Sequence, residues 1–441
     1  MINLFENKKV LIPILLVWIA IGTLFIYRVP FDRPGPAHDF WGHIGYTDHI
    51  ARNHSLPNPI GWWEAPQAPL YYFINSFMLP KSLLANTVTG KTAHINFVRG
   101  LSVLYGAIVL IIFSWFLTKF NFNPFIQVLV LLFTITTPAF IIVFSTYNND
   151  SLAMMLSVIL LFLSYKLYYK WSWKIAPLLL LVATAAVYTK ISAAIAHITI
   201  SLFCCRNFKD KKLPSSTELK IVGILALAII LLFPWARFHN YKHTGKYLPS
   251  YNYIFGVKTK FGKEEFKTVL GVVFRIPKWQ SYKPDLSHEW DDPFCHPFFE
   301  APNIATKRYD YLAYTLLTMT IDTYKYVVPA VGFVWAILFL HLIAFIIALR
   351  EIFKSTINKL CGFIIFTSHF LAIVFILPVA IFTPGPQIDY RYISWGFLPW
   401  IILYASVLSK EGKLSSILRR VFTLCIIVQI YFLITLVSVW E

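Results

Sequence analysis

The feature that most constrains this chain is a succession of apolar runs, most of about twenty residues, separated by short segments rich in Lys and Arg. A run of that length suits a helix crossing the ~30 Å hydrocarbon layer of a bilayer. Lipid offers backbone polar groups no partner, so a spanning segment must satisfy them internally. The runs do not alternate polar with apolar, and this favours helices over barrel strands. About eleven spans are expected: 10–27, 97–118, 124–144, 151–169, two within 175–205, then 219–236, 326–349, 360–382, 392–409 and 421–440.

Composition agrees. Of 441 residues, 57% are hydrophobic and only 14% charged, with a mean hydropathy of +0.62. A soluble domain of this size has too much surface to hide so much apolar area. The formal net charge of +18 comes from Lys and Arg scattered between the runs, not from a nucleic-acid-binding patch. Such residues hold short loops on the cytoplasmic side and attract anionic headgroups. With Lys8 and Lys9 inside, the parity closes. Lys119, Lys166, Lys170, Lys174, Arg350, Lys354, Lys359, Lys410, Lys413, Arg419 and Arg420 all fall in inner segments. Segments 28–92 and 237–325 are then outside, and 93–236 and 326–441 hold the remaining spans. The run Val10–Tyr27 reads as a signal anchor, with no small-residue cleavage site after it. Of five Cys, only Cys295 falls in an outer loop, so no disulfide framework is expected there.

The first outer segment carries His38-Asp39-Phe40-Trp41-Gly42-His43 and, further on, Trp62-Trp63-Glu64-Ala65-Pro66-Gln67-Ala68-Pro69-Leu70-Tyr71-Tyr72. Asp39 and His43 share a face if that stretch is helical. A carboxylate beside an imidazole can deprotonate a hydroxyl; equally, Asp39 can cap a helix while the histidines solvate headgroups. Lys190, Arg237 and Arg391 lie at outer span ends, where a cation is costly unless paired. Lys190 can also snorkel, and Arg391 can pair with Asp389 or Asp150. Asp150 opens a span, where capping is its plain reading. In the second outer segment His288, Glu289, Asp291, Asp292 and His296 are close in sequence, but the spacing matches no standard zinc signature.

Taken in order, these motifs resemble the polyprenyl-phosphate-sugar-dependent glycosyltransferases of the C-type (GT-C) membrane superfamily. Protein O-mannosyltransferases (glycosyltransferase family 39) and lipid A aminoarabinose transferases are the similar families. The resemblance rests on Asp39-x-x-x-His43, on Glu64-Ala65-x-Gln67-x-Pro69-Leu70-Tyr71-Tyr72, and on Phe97-Val98-Arg99-Gly100-Leu101-Ser102 with Gly106. It continues through Asn148-Asn149-Asp150-Ser151-Leu152, Tyr188-Thr189-Lys190, the set Trp235, Arg237 and Asn240, and Asp389-Tyr390-Arg391-Tyr392 with Pro399. Departures are Phe40 where members often have a second acid, Pro66 where they have His, and Ala68-Pro69 for Pro-Pro.

The resemblance implies an all-α polytopic GT-C fold and transfer of a hexose or pentose from a polyprenyl-phosphate donor, with inversion. The donor lipid is undecaprenyl phosphate in a bacterial source. Asp39 would be the general base, with His43 and Glu64 beside it. Lys190, Arg237 and Arg391 would meet the donor phosphate, supported by Asn149, Asp150, Gln67, Tyr71, Asp389 and Tyr392. The implied partners are the lipid-linked donor, a glycolipid, glycan or protein acceptor, and the bilayer, with no nucleic acid. The site would face the periplasm or cell exterior from a bacterial inner or plasma membrane. No cofactor is required, although His288, Asp291, Asp292 and His296 leave a divalent cation open. A lipid-linked glycan ligase or polymerase, and a lipid or solute transporter, are the competing readings.

Overall fold

The structure, a computed structural model, describes residues 8–29, 40–60, 64–78, 88–205, 214–247, 294–295, 319–320, 326–327, 333–382 and 390–438. The helices in chain order are α1 (Lys8–Arg28), α2 (Phe40–Asn53), α3 (Leu70–Phe77), α4 (Val88–Lys119), α5 (Pro124–Thr136), α6 (Pro138–Ser145), α7 (Asp150–Tyr169), α8 (Ala176–Thr189) and α9 (Ala194–Cys205). They continue with α10 (Ser216–Leu231), α11 (Phe233–Trp235), α12 (Lys242–Thr244), α13 (Val334–Leu349), α14 (Thr356–Phe382), α15 (Phe397–Leu408) and α16 (Lys413–Ser438). Strands among the described residues amount to one antiparallel bridge, β1 (Phe294–Cys295) with β2 (Tyr326–Val327).

Among the described residues six helices are long and apolar enough to cross a membrane, or seven if the bent pair α5–α6 is one span. Four shorter apolar helices, α8, α9, α13 and α15, occupy the other positions where spans were expected. The chain is thus a multi-pass membrane protein. Peripheral helices confirm the solvent. Helix α16 buries Leu418, Phe422, Cys425, Gln429 and Phe432 on one stripe and leaves Leu424, Ile427, Ile430 and Ile434 exposed. A face made of such residues suits hydrocarbon, not water. Helix α15 is buried on every side from Phe397 to Ala405 and forms the centre of the bundle.

Several boundaries differ from the sequence expectation: α16 begins at Lys413 rather than 421, and α13 at Val334, because Tyr326–Val327 pairs as strand β2. Helix α4 begins at Val88, well before residue 97, and the α10 rod continues to Thr244 through a π-helical turn at Ala236–Tyr241. Hydropathy marks where apolarity stops, but a helix continues wherever its backbone bonds do.

Breaks in the helices have local causes. Pro138 lacks an N–H and forces Thr137 into an extended conformation (φ −64°, ψ 122°), which ends α5 and turns α6 by 64°. Gln429 on α16 serves this break: Thr136 donates to its Oε1 at 2.7 Å, and its amide lies 2.8 Å from His341 on α13. Helix α10 opens with a capping box, Ser215 accepting from the Glu218 N–H and Glu218 from that of Ser215. Trp18 of α1 donates to the Val103 carbonyl at 2.9 Å and lies edge-on to Phe140 and Phe144.

Gly106 permits this approach of α1 to α4, because a Cβ there would sit 2.6 Å from the Trp18 ring. We predict that Gly106→Leu lowers thermal stability in detergent by about 1–3 kcal/mol through overpacking. Gly100→Ala, where a Cβ meets nothing within 4 Å, is the matched control and should not lower it.

At the opposite, lysine-rich end, the buried Glu351 carboxylate pairs with Lys354 at 2.6 Å and with Lys410, joining the α13–α14 and α15–α16 hairpins. Burial raises the Glu351 carboxyl, but the two ammoniums outweigh it and hold the group below its ordinary value. A depressed carboxylate contributes stability above its unfolded pKa of about 4.3, and that contribution is lost as pH falls through the folded value. Unfolding midpoints measured across this acid range should therefore fall in the wild type, and the Glu351→Gln variant should lack that component.

Candidate functional site

Most of the expected site residues that the structure describes gather at the end of the bundle carrying α2, α3 and the 146–149 turn. Helix α2 buries His43, Tyr46, Thr47 and Ile50 on a single face. A turn at Glu64–Gln67 follows, closed by the Gln67 N–H to the Glu64 carbonyl at 2.9 Å. The π turn of the α10 rod holds it from outside. His239 Nε2 lies 3.2 Å from the Ala65 carbonyl, and Asn240 donates to that of Pro66 at 3.3 Å. Pi turns of this kind often mark functional sites, because the extra residue re-aims the side chains.

Tyr72 is the hub. Its hydroxyl lies 2.9 Å from His43 Nδ1, 3.3 Å from Glu64 Oε2, 3.1 Å from Gln67 Oε1 and 3.3 Å from Asn149 Nδ2. Asn149 also donates to Gln67 Oε1. Burial first, then the Glu64 carboxylate and the Tyr46 ring stacked at 3.9 Å, push the Tyr72 hydroxyl well above its ordinary pKa. It is therefore a phenol that donates once and accepts twice. Donation to Glu64 or Gln67 leaves its lone pairs for Asn149 and for a His43 Nδ1–H. In that tautomer the basic nitrogen of His43 is Nε2. Glu64 and His43 are both buried and 3.7 Å apart.

Asn149 reaches this network because its neighbour does the capping. Asn148 Oδ1 accepts the Ser151 N–H at 3.0 Å, whereas Asn149, at the cap position of α7, makes no cap bond. Asp150 meets a cation. It stands at the first position of α7 and pairs with Lys190, which breaks the chain between α8 and α9 in an extended conformation (φ −154°, ψ 127°). The side chains of Asp150 and Lys190 are 3% and 16% exposed. Lys190 is thus held inside rather than snorkelling, and Asp150 pairs with it. The His197 nitrogens, each 2.9 Å from the carbonyls of Ala183 and Ala193, tie together the two arms flanking Lys190.

Not every expected residue joins. Arg237 is exposed, its guanidinium 4.3 Å from the Tyr241 ring, and is not brought to Lys190. Tyr71 lies beside Tyr72 but outside the network of His43, Glu64, Gln67 and Asn149, so Tyr72 takes the central place. Asp39, Asp389, His288, Asp291, Asp292 and His296 lie outside the described residues, as do the side chains of Arg391 and Tyr392. Among the described residues no three His, Cys, Asp or Glu side chains converge as a metal site. The sequence reading passed over Tyr72 and Asn148, because a Tyr-Tyr or Asn-Asn doublet does not say which member turns inward.

No family model matches the chain, and no curated protein matches it. It is similar to two solved structures of the oligosaccharyltransferase AglB of the archaeon Archaeoglobus fulgidus. One, in complex with an inhibitory peptide and a dolichol-phosphate, is 12% identical over 99% of this chain and 56% of that one, with a TM-score of 0.46. The other, tethered to an acceptor peptide containing the NVT sequon, is 12% identical over 100% of this chain and 56% of that one, with a TM-score of 0.47. The chain spans little more than half the length of these structures.

Two variants test the geometry. Tyr72→Phe strips a buried network of its hub and should cost about 1–3 kcal/mol in detergent unfolding. Lys190→Met takes the ammonium from the buried Asp150 carboxylate, which should cost about 1.5–3 kcal/mol. The double variant Lys190→Met/Asp150→Asn should recover most of that loss.

Proposed function

We propose that this protein is a GT-C-type membrane glycosyltransferase of eleven crossings, the four shorter apolar helices completing the count. It would move a sugar from a polyprenyl-phosphate donor to an acceptor on the outer face, here the periplasmic or extracellular side of a bacterial membrane. The observation that carries this reading is the buried Lys190–Asp150 pair. It stands one residue along the chain from the Asn149 that enters the Tyr72 network.

A lipid-phosphate sugar already has a good leaving group. The reaction therefore needs a cation where charge grows on the departing phosphate and a base on the attacking hydroxyl or amine. Lys190 would supply the cation. Asp150 keeps the ammonium placed and partly neutralised until the phosphate shares it, avoiding the cost of a lone buried charge. Asp39 would take the acceptor proton, with His43 and Glu64 setting the charge around it. Attack at the anomeric carbon with departure of the phosphate is a single displacement, so the configuration inverts.

The test is sugar transfer by purified protein in nanodiscs, from radiolabelled polyprenyl-phosphate sugars to a total membrane extract. Transfer by the wild type should fall by roughly 10²-fold or more in Asp39→Asn, the usual worth of a general base. The stability-restored Lys190→Met/Asp150→Asn variant should stay inactive. Undiminished transfer in Asp39→Asn would overturn the base assignment. No transfer from any donor would overturn the reaction class.

A further inference from the structure

At the lysine-rich end, away from the Tyr72 network, the bundle leaves a half-open apolar cleft between α4, α7, α14 and α15. Its floor is buried and includes Phe116, Ile364 and Leu398. Along its sides Phe120, Tyr165 and Leu360 are only half-buried. The Tyr165 ring stands edge-on to those of Phe116 and Phe120, at 5.2 and 6.3 Å, and this fixes one wall. On the facing wall, the lining residues Ile357 and Ile364 are separated by a rise of about 10 Å along α14. The cleft holds about 390 Å³ of empty space, its open mouth included.

An apolar hollow stays dry, and its walls lack the dispersion contacts of a filled core. In a bilayer the filler at hand is hydrocarbon. A cleft that climbs about 10 Å from the helix ends lies within one leaflet of a ~30 Å hydrocarbon layer. It therefore suits the chain of a lipid whose headgroup stays at the lysine-rich surface. The charge of that headgroup follows from the cations beside the walls. Lys119 immediately precedes Phe120 at the end of α4, and Lys359 immediately precedes Leu360 in the first turn of α14. Both are exposed, and neither makes an ion pair among the described residues. Lys166 follows Tyr165, its ammonium 4.2 Å from the Trp115 ring. Glu351, the buried acid of this end, is already taken by Lys354 and Lys410. Short lysine-rich loops lie on the cytoplasmic side of a membrane, and that leaflet carries anionic lipid. A polyprenyl tail anchored at Lys190 would enter from the opposite leaflet and bring no charge to these lysines.

We propose that the cleft between α4, α7, α14 and α15 binds one anionic glycerophospholipid of the cytoplasmic leaflet. Its acyl chain lies against Phe120, Tyr165 and Leu360, and its phosphate meets Lys119 and Lys359. The lipid fills the hollow that the four helices leave, and the two lysines choose it by charge. This site stands apart from the glycosyl-transfer reading and does not depend on it.

The test is native mass spectrometry of the delipidated full chain in detergent, titrated with phosphatidylglycerol, phosphatidylcholine or undecaprenyl phosphate, with the unfolding midpoint as the check on folding. The wild type is expected to retain one phosphatidylglycerol in preference to phosphatidylcholine. Lys119→Gln/Lys359→Gln should weaken phosphatidylglycerol binding roughly tenfold or more, since a lysine near an anionic headgroup is worth about fivefold. The same variant should leave phosphatidylcholine binding unchanged. Leu360→Trp fills the cleft and should abolish retention of phosphatidylglycerol; Ile357→Trp carries the same readout should Leu360→Trp fail to fold. Equal retention of the two phospholipids by the wild type would overturn the site, as would phosphatidylglycerol binding that the charge variant or a folded cleft-filling variant leaves intact. Loss of undecaprenyl phosphate binding in Leu360→Trp, with phosphatidylglycerol binding kept, would give the cleft to a donor tail instead.

Discussion

The ends of α1 and α6 meet on one guanidinium. Arg99, buried within α4, donates to the carbonyls of Phe25, Ile26 and Val29 and to that of Ser145, at 2.8–3.4 Å. These carbonyls lie at helix C-termini, where intrahelical donors run out, although that of Phe25 also accepts the Val29 N–H; in lipid they have no water to turn to. A cation there also opposes the negative ends of two helix dipoles. The charge is buried without a carboxylate partner in these bonds, and the carbonyls replace its hydration. The same requirement, that polar groups find protein partners when water is absent, governs the rest of the molecule.

It decides where the helices break. At Thr137–Pro138 the freed groups fall among Thr136, Gln429 and His341, which join α5, α13 and α16 through side chains. At Lys190 the broken chain exposes an ammonium that Asp150 answers. At Ala236–Tyr241 the π turn presents His239 and Asn240 to the carbonyls of Ala65 and Pro66. The last two breaks lie beside the Glu64–Gln67 turn and the N-terminus of α7. Irregular backbone is tolerated at membrane depth only where protein or a polar cavity surrounds it. The candidate site is therefore built where irregularity and its compensation already coincide.

The apolar runs made the membrane class and the order of the helices legible, since periodicity and length are local properties of the chain. They did not fix lengths: α8 and α9 run only 14 and 12 residues, and α4 and the α10 rod overrun their apolar limits. Of the site, His43, Glu64 and Gln67 were legible as polar residues of the first outer segment, and Asn149, Asp150 and Lys190 as polar residues at the ends of spans. Their pairing was not. Lys190 could equally have snorkelled, and only packing of α7 against α8 brings it to Asp150.

What the sequence determined by itself is the solvent. A chain this apolar, with charges confined to short intervals, folds as helices across lipid, because each helix satisfies its own backbone. Tertiary structure decided which polar residues meet. Tyr72 rather than Tyr71 became the hub, Asn148 rather than Asn149 became the cap, and Arg99 went to carbonyls rather than to an acid. Those outcomes depend on which face of each helix turns inward and on which neighbour lies opposite. No spacing along a single helix carries that information.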